Sequence, residues 1–330
     1  MLRPFMLFAT LCWQIFPGAA NAQPVLFVVS NGNSTVGLYS AVSGATINAA
    51  FINGQGLVDP IGLALDGNTH VFVSNDGNDT VGQYDGVTGA TINATFIKSS
   101  QGLNGPVGLA LDGKNHLFVG SIGVMGQFDA TTGATINASF IHQGLSGELG
   151  STLDGNNHQF VANSGNNTIA EYDASTGATI NAAFVNGQGL NVPAALALDG
   201  LNHLFVSNVT GNTVGEYDAT TGATINANFI TGLNGPVGLA LDGSNHLFVT
   251  NNNINTIGEY DATNGAAINP AFVNGQGLNV PDFLVFANSV PEPDSLALVA
   301  AAAAGAAAWA ARSRRRARKS PVSSGSGHSP

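Results

Sequence analysis

Residues 203–243 read HLFVSNVTGNTVGEYDATTGATINANFITGLNGPVGLALDG, and this stretch decides the fold. Leu204 to Ser207 is a short β-prone run. Asn208 to Asn212 is a cluster of turn residues. Thr213 to Asp218 alternates in character, and Ala219 to Gly222 makes another turn. Ala223 to Ile230 then ends in an aromatic–aliphatic pair. After Gly232 to Pro236 comes Gly238-Leu239-Ala240-Leu241, closed by Asp242-Gly243. Runs of four to eight residues bounded by Gly, Asn, Asp and Pro predict strands, and no sustained 3.6-residue apolar period predicts a helix.

The phrase recurs along the chain. The isoleucine of its T/A-I-N core stands at Ile47, Ile92, Ile136, Ile180, Ile225 and Ile268, at spacings of 45, 44, 44, 45 and 43 residues. A fixed period of this length marks an array of supersecondary units. Four antiparallel strands per unit are the blade of a β-propeller, whereas the rungs of a β-solenoid are usually shorter. The array begins at Val25-Leu26-Phe27-Val28-Val29, a second strand lacking its partner. It ends at Phe283-Leu284-Val285-Phe286, an inner strand lacking its successor. The two orphans complement each other, so the expected fold is an all-β, six-bladed β-propeller over residues 25–288, closed by pairing of its N- and C-terminal strands. Closure removes an exposed edge.

The segments Gly238-Leu239-Ala240-Leu241-Asp242-Gly243, His246-Leu247-Phe248-Val249 and Thr256 to Asp261 resemble the NHL repeat. There a G-I-A-V-D strand runs into G-N-I-Y-V and then R-I-x-x-F/Y-D. The resemblance covers the six copies and implies a propeller whose innermost strand is G-L-A-L. Thr-Val or Thr-Ile replaces the frequent arginine of the family's third strand, a departure that weakens transfer of its nucleic-acid or protein-binding roles.

Both ends read as addresses. Arg3, the apolar run Phe5 to Phe16 and Ala20-Asn21-Ala22 predict a signal peptide over residues 1–22, cut by signal peptidase. The sole cysteine, Cys12, falls inside it. At the other end, Val290-Pro291-Glu292-Pro293 precedes an apolar helix predicted over 295–311. Arg312, Arg314, Arg315, Arg316 and Arg318 follow. Seventeen residues is near the lower limit for a transmembrane span, and the arginines place its C-terminal side in the cytoplasm. This order, over 289–319, resembles the PEP-CTERM sorting signal. The resemblance implies export in a Gram-negative bacterium, recognition by an exosortase, removal of the helix, and association with exopolysaccharide or biofilm matrix. The tail 320–330 is Ser/Gly/Pro-rich and expected to be disordered.

Between these ends, residues 25–288 hold 18 acidic residues and two basic ones, Lys98 and Lys114, for a formal charge of −16. Without clustered Lys or Arg, nucleic-acid binding is excluded as a function class. No G-x-S-x-G, H-E-x-x-H, paired C-x-x-C or phosphate loop occurs.

Five histidines share one repeat position: His70, His116, His158, His203 and His246. Ligands of one Zn²⁺ must lie within roughly 4 Å of one another, but equivalent points on neighbouring blades should be about 10 Å apart. Each imidazole is therefore expected to cap its own Asp-Gly turn, and no metal is assigned. Glu171, Glu216 and Glu259 are read as a polar face opposite Tyr172, Tyr217 and Tyr260. Asn75, Asn163, Asn208 and Asn251, with Asn31, follow the second strand where loops surround a channel mouth. There the architecture resembles gluconolactonase-like propellers, which bind a divalent ion; Ca²⁺ is the ion this would imply. Asparagine also forms turns. Departures from the repeat mark the best local candidates for a contact: Glu148 stands where proline is usual, and Ser151 where leucine is. Two functions stay open. One is an exported surface or biofilm-matrix propeller that binds polysaccharide or a matrix protein. The other is a divalent-metal-dependent, lactonase-like hydrolase at the mouth.

Overall fold

The computed structural model describes residues 23–67, 70–147 and 150–290. The signal peptide, Glu148, Pro291 to Arg316, the apolar helix 295–311 and the tail 320–330 lie outside the described residues. Residues 23–290 form one compact unit of six four-stranded antiparallel sheets. The fifth blade is typical: Pro193–Leu198 inside, then His203–Asn208, Thr213–Asp218 and Thr224–Ile230 outermost. Gly238 to Leu241 of the quoted stretch already belongs to the sixth blade. The inner strands contact one another in cyclic order around the ring.

The first blade is a composite, as the orphan strands require. Its inner strand, Pro281–Val290, comes from the chain's far end and pairs with Gln23–Ser30. Leu26 faces Phe286, Phe27 faces Val285, and Val28 faces Leu284. A second latch lies outside this ladder. Tyr39 of the first blade donates to the Gln276 carbonyl after the sixth blade's outer strand (3.3 Å), and the Thr46 hydroxyl donates to Gln276 Oε1 (2.8 Å). The same tyrosine latch joins Tyr84 to Gln55, Tyr172 to Gln143 and Tyr217 to Gln188, at 2.8–3.2 Å. Burial pushes these four phenols up to about 12, so they stay protonated donors at neutral pH.

The core is built between blades and within them. Each second-strand phenylalanine packs on the outer-strand phenylalanine of its own blade, as Phe205 does on Phe229 with ring centroids 5.2 Å apart. Apolar clusters span neighbouring blades, one of them joining Val28, Tyr39 and Leu284 of the first blade to Phe248 and Phe272 of the sixth. The glycine of the T-x-G turn seats each blade on its neighbour. Gly222 has φ +70°, and a Cβ there would lie 2.0 Å from the Phe184 carbonyl oxygen.

The T-I-N core forms the exposed outer edge. Ile92, Ile136, Ile180, Ile225 and Ile268 are about half exposed, at 48–50 %. A bulge interrupts the third-to-outer strand pairing in every blade. The repeated asparagine's Oδ1 accepts the N–H two residues on, as Asn226 does from Asn228 at 3.0 Å. Asn48, Asn93, Asn137, Asn181 and Asn269 do the same at 3.0–3.2 Å. Bulges and self-occupied donors blunt an edge that would otherwise invite strand addition.

Candidate functional site at the channel mouth

The inner strands begin, and the second strands end, at one face of the ring. A cavity of about 330 Å³ opens there, and every blade contributes to its wall. Two ring positions line it. The residue after the inner-strand proline is Ile61, Val107, Ala194 and Val237 in four blades, but Asp282 in the first. The residue after the second strand is Asn31, Ser164, Val209 or Asn252. Asn253 adds a further amide. Among the described lining residues the polar side chains come from the first, fourth and sixth blades, with apolar ones interspersed.

Asp282 is the carboxylate of this cavity among the described residues, and it is 9 % exposed. Its Oδ1 accepts from Asn252 Nδ2 at 2.8 Å. Asn31 Nδ2 donates to the Pro60 carbonyl at 3.2 Å, and Asn253 Nδ2 donates to Asn234 Oδ1 at 3.0 Å.

The asparagines expected at this mouth as contacts have another task. Asn75, Asn163, Asn208 and Asn251 end their strands one residue earlier, and their side chains are at most 2 % exposed. Each Oδ1 accepts a backbone N–H from the loop before the inner strand: Val58, Ser146, Asn191 and Asn234, at 3.0–3.1 Å. In three blades Nδ2 also donates to a threonine hydroxyl, as from Asn208 to Thr213 at 3.3 Å. These amides clamp the loop to the sheet and are unavailable to a ligand. Asn31 is not their equivalent: the pairing of Ser30 with Thr35 matches that of Asn75 with Thr80, so Ser30 holds the clamp position. Ser121 holds it in the third blade. Serine is too short to reach the loop, and the buried hydroxyls of Ser30 and Ser121 have no hydrogen-bond partner among the described residues. Replacing Asn208 by Ala should cost about 1–3 kcal/mol, because the Asn191 N–H loses its acceptor. A thermal melt checks this, and ligand contact at the mouth should be unchanged.

Ser151 is half-buried beside the mouth, its hydroxyl 3.5 Å from Gln159 Nε2, while its neighbour Gly150 lines the cavity. Sequence reasoning missed Asp282, Asn252 and Asn253. The signal was present, since Asp282 breaks an otherwise apolar repeat position and the residue after the clamp asparagine varies from copy to copy.

At the opposite face each histidine does cap its own turn. Nδ1 of His70, His116, His158, His203 and His246 lies 2.7–2.9 Å from Oδ2 of the aspartate four residues earlier. That aspartate's Oδ1 accepts the histidine's backbone N–H. Glu171, Glu216 and Glu259 are not a solvated polar face. They turn inward, with Oε1 3.6–3.7 Å from these Nδ1 atoms in the fourth to sixth blades. Burial holds their carboxyls above the ordinary value, partly offset by the imidazole and reinforced by the nearby aspartate. A larger cavity of about 570 Å³ lies at this end between the second and third blades, lined by Asp66, His70, Gln83, Asn115 and Thr131. It is a gap beside one copy of a pair that repeats in five blades, so the mouth, with its non-equivalent residues, is the better candidate. Among the described residues no three His, Cys, Asp or Glu gather so as to hold a metal ion.

Residues 289–316 match the PEP-CTERM protein-sorting motif. No curated protein matches the sequence. Among solved structures, a chain from the crystal structure of a nidogen/laminin complex is similar, with a TM-score of 0.67 at 14 % identity. The match covers 81 % of this chain and 99 % of that one, and at this identity it speaks for the fold alone. The protein is a six-bladed β-propeller with a PEP-CTERM sorting motif at its C-terminus, and the resemblance to NHL repeats agrees with that architecture. The motif marks a protein that is exported and sorted by an exosortase. Among the described residues no helix is long and apolar enough to cross a membrane.

Proposed function

We propose that the protein is a non-enzymatic binding or structural module of the cell surface or extracellular matrix, with exopolysaccharide or a matrix protein as its partner. The PEP-CTERM motif at 289–316 is the observation that carries this reading, since it supplies the address. The propeller supplies a stable body with one non-uniform face. Signal peptidase would cut after Ala22, and exosortase would act at the motif and release the helix at 295–311.

The lactonase-like alternative needs several oxygen ligands converging on a divalent ion. Among the described residues the mouth presents one carboxylate, Asp282, already engaged by Asn252. That favours binding over metal-assisted hydrolysis.

Replacing Pro291, Glu292 and Pro293 together by alanine tests the address. The expected result is accumulation of a longer, membrane-associated form and loss of the processed form from the cell exterior, read by mass spectrometry of each fraction. Processing and release that are indifferent to the substitution would overturn the assignment.

A further inference from the structure

We infer that the mature protein begins with a pyroglutamyl residue, formed by cyclisation of Gln23, and that this lactam shields the strands that close the ring. The inference rests on the reading of Ala22–Gln23 as the signal-peptidase bond and goes beyond it to the chemistry of the new chain end.

Three observations converge on it. The first is a coincidence of boundaries. The cut expected after Ala22 would leave Gln23 as the first residue of the exported chain. The compact unit that forms the propeller also begins at Gln23, and so does its first strand. The expected cut therefore falls on the edge of the folded body, with no spacer in front of the ring.

The second is chemical opportunity. A glutamine at a chain start carries a nucleophile and an electrophile on one residue. Its neutral α-amine attacks Cδ, and the new N–Cδ bond closes a pyrrolidone ring. The Cδ–Nε2 bond breaks, and Nε2 leaves as ammonia with a proton given up by the amine. The step consumes no oxidant, reductant or co-reactant. An α-amine ordinarily titrates at about 7.7–8.0, so a share of it is neutral near pH 7. The fold does not hold the side chain back, because Gln23 is exposed and its amide bonds to no described residue. The lactam also keeps one N–H and the backbone carbonyl, the groups that a β-ladder uses.

The third is what lies behind the chain end. Gln23–Ser30 is paired on both sides, with Pro281–Val290 and with Thr35–Ser40. Gln23 faces Val290, the last residue of the closing strand, and the Pro24 carbonyl accepts the Ala41 N–H at 2.9 Å. Next come Val25 to Val29, at most 1 % exposed. Chain ends are where proteolysis concentrates. An exopeptidase working inward from a free amine would take exposed Gln23 and half-buried Pro24 and break the bond to Ala41. The next residues it met would be those on which closure depends. Because residue 24 is proline, the enzymes that matter are those that release an Xaa-Pro dipeptide from a free amine. A lactam gives them no ammonium to grip.

Mass spectrometry of the full chain after export, recovered from the cell exterior, tests the inference. The N-terminal peptide should start at residue 23, weigh less than its linear form by one ammonia, and resist amine labelling. Pyroglutamyl peptidase should restore a labelled amine at Pro24. A dipeptidyl peptidase that releases Xaa-Pro should leave this protein intact. Gln23→Glu, whose carboxylate does not yield to the amine, should begin with a free amine and lose residues 23–24 to the same enzyme. Its Tm should match that of the parent protein before digestion and fall after it, which separates the cap from folding. A peptide that begins at Gln23 with a labelled amine would overturn the inference and leave the signal-peptidase reading standing. A chain that begins at another residue would overturn both. Equal resistance of the Gln23→Glu variant to digestion would overturn the shielding role.

Discussion

A chain ending at Asn274, without the strand Pro281–Val290, is expected not to fold into a monomeric propeller. That strand supplies the inner layer of the first blade and packs against the inner strands of the second and sixth blades. Its removal uncovers Leu26, Phe27 and Val28, which are 0 % exposed in the closed ring, and turns Gln23–Ser30 into an open edge. Phe283, Leu284, Val285 and Phe286 leave the core as well. Burial of each large apolar side chain contributes about 1.5–3 kcal/mol, so their joint loss rivals the roughly 5–15 kcal/mol by which domains are stable. Size-exclusion chromatography should show aggregates, and the thermal transition should be lost. Cutting sixteen residues later, at Val290, should leave the melt unchanged, because closure is then intact. A stable monomer with an undiminished transition after truncation at Asn274 would show that the ring does not depend on its last strand. Adding residues 279–290 as a peptide should restore the transition by pairing with the open edge.

Gly222→Ala is expected to be among the most damaging single methyls. The position has φ +70°, which costs an L-residue about 1–2 kcal/mol. The added carbon would also sit 2.0 Å from the Phe184 carbonyl, a backbone atom of the neighbouring blade that cannot rotate away. Forcing the two blades apart adds about 1–3 kcal/mol. Gly243→Ala provides the control, with φ +73° and nothing within 4 Å of the new carbon. It should show the conformational cost alone. The difference between the two melts isolates the close approach of blades. At roughly 2–4 °C per kcal/mol for chains of this size, Gly222→Ala should lower Tm by about 5–15 °C. Equal shifts for the two variants would mean that blade spacing tolerates the methyl and that the repeated glycine serves the turn only.

The fold was legible because its determinants are local and repeated. Turn chemistry at Asp242-Gly243, alternation over Thr213 to Asp218 and the period of the T-I-N core are all visible within one copy. The complementary orphans at Val25 and Phe283 then allow only one economical closure. The histidine caps were legible for the same reason, since His203 and Asp199 are four residues apart on one turn.

The site was not. Its residues come from Asn31, Ser164, Asn252 and Asp282, spread over some 250 residues. They meet only because six blades share an axis. A one-residue offset decides their roles. Asn208 turns into the sheet and clamps a loop, while its neighbour Val209 faces the cavity. Sequence alone shows that both sit in a turn and cannot say which side chain points where. The first blade compounds this, because its strand is offset so that Ser30, not Asn31, takes the clamp position. Number of blades, ring closure and cellular address were thus determined by the sequence by itself, through local patterning and a terminal motif. Which side chains are buried clamps, and which face the channel, was decided only by tertiary structure, because that depends on pleat phase and on convergence of distant loops about the axis.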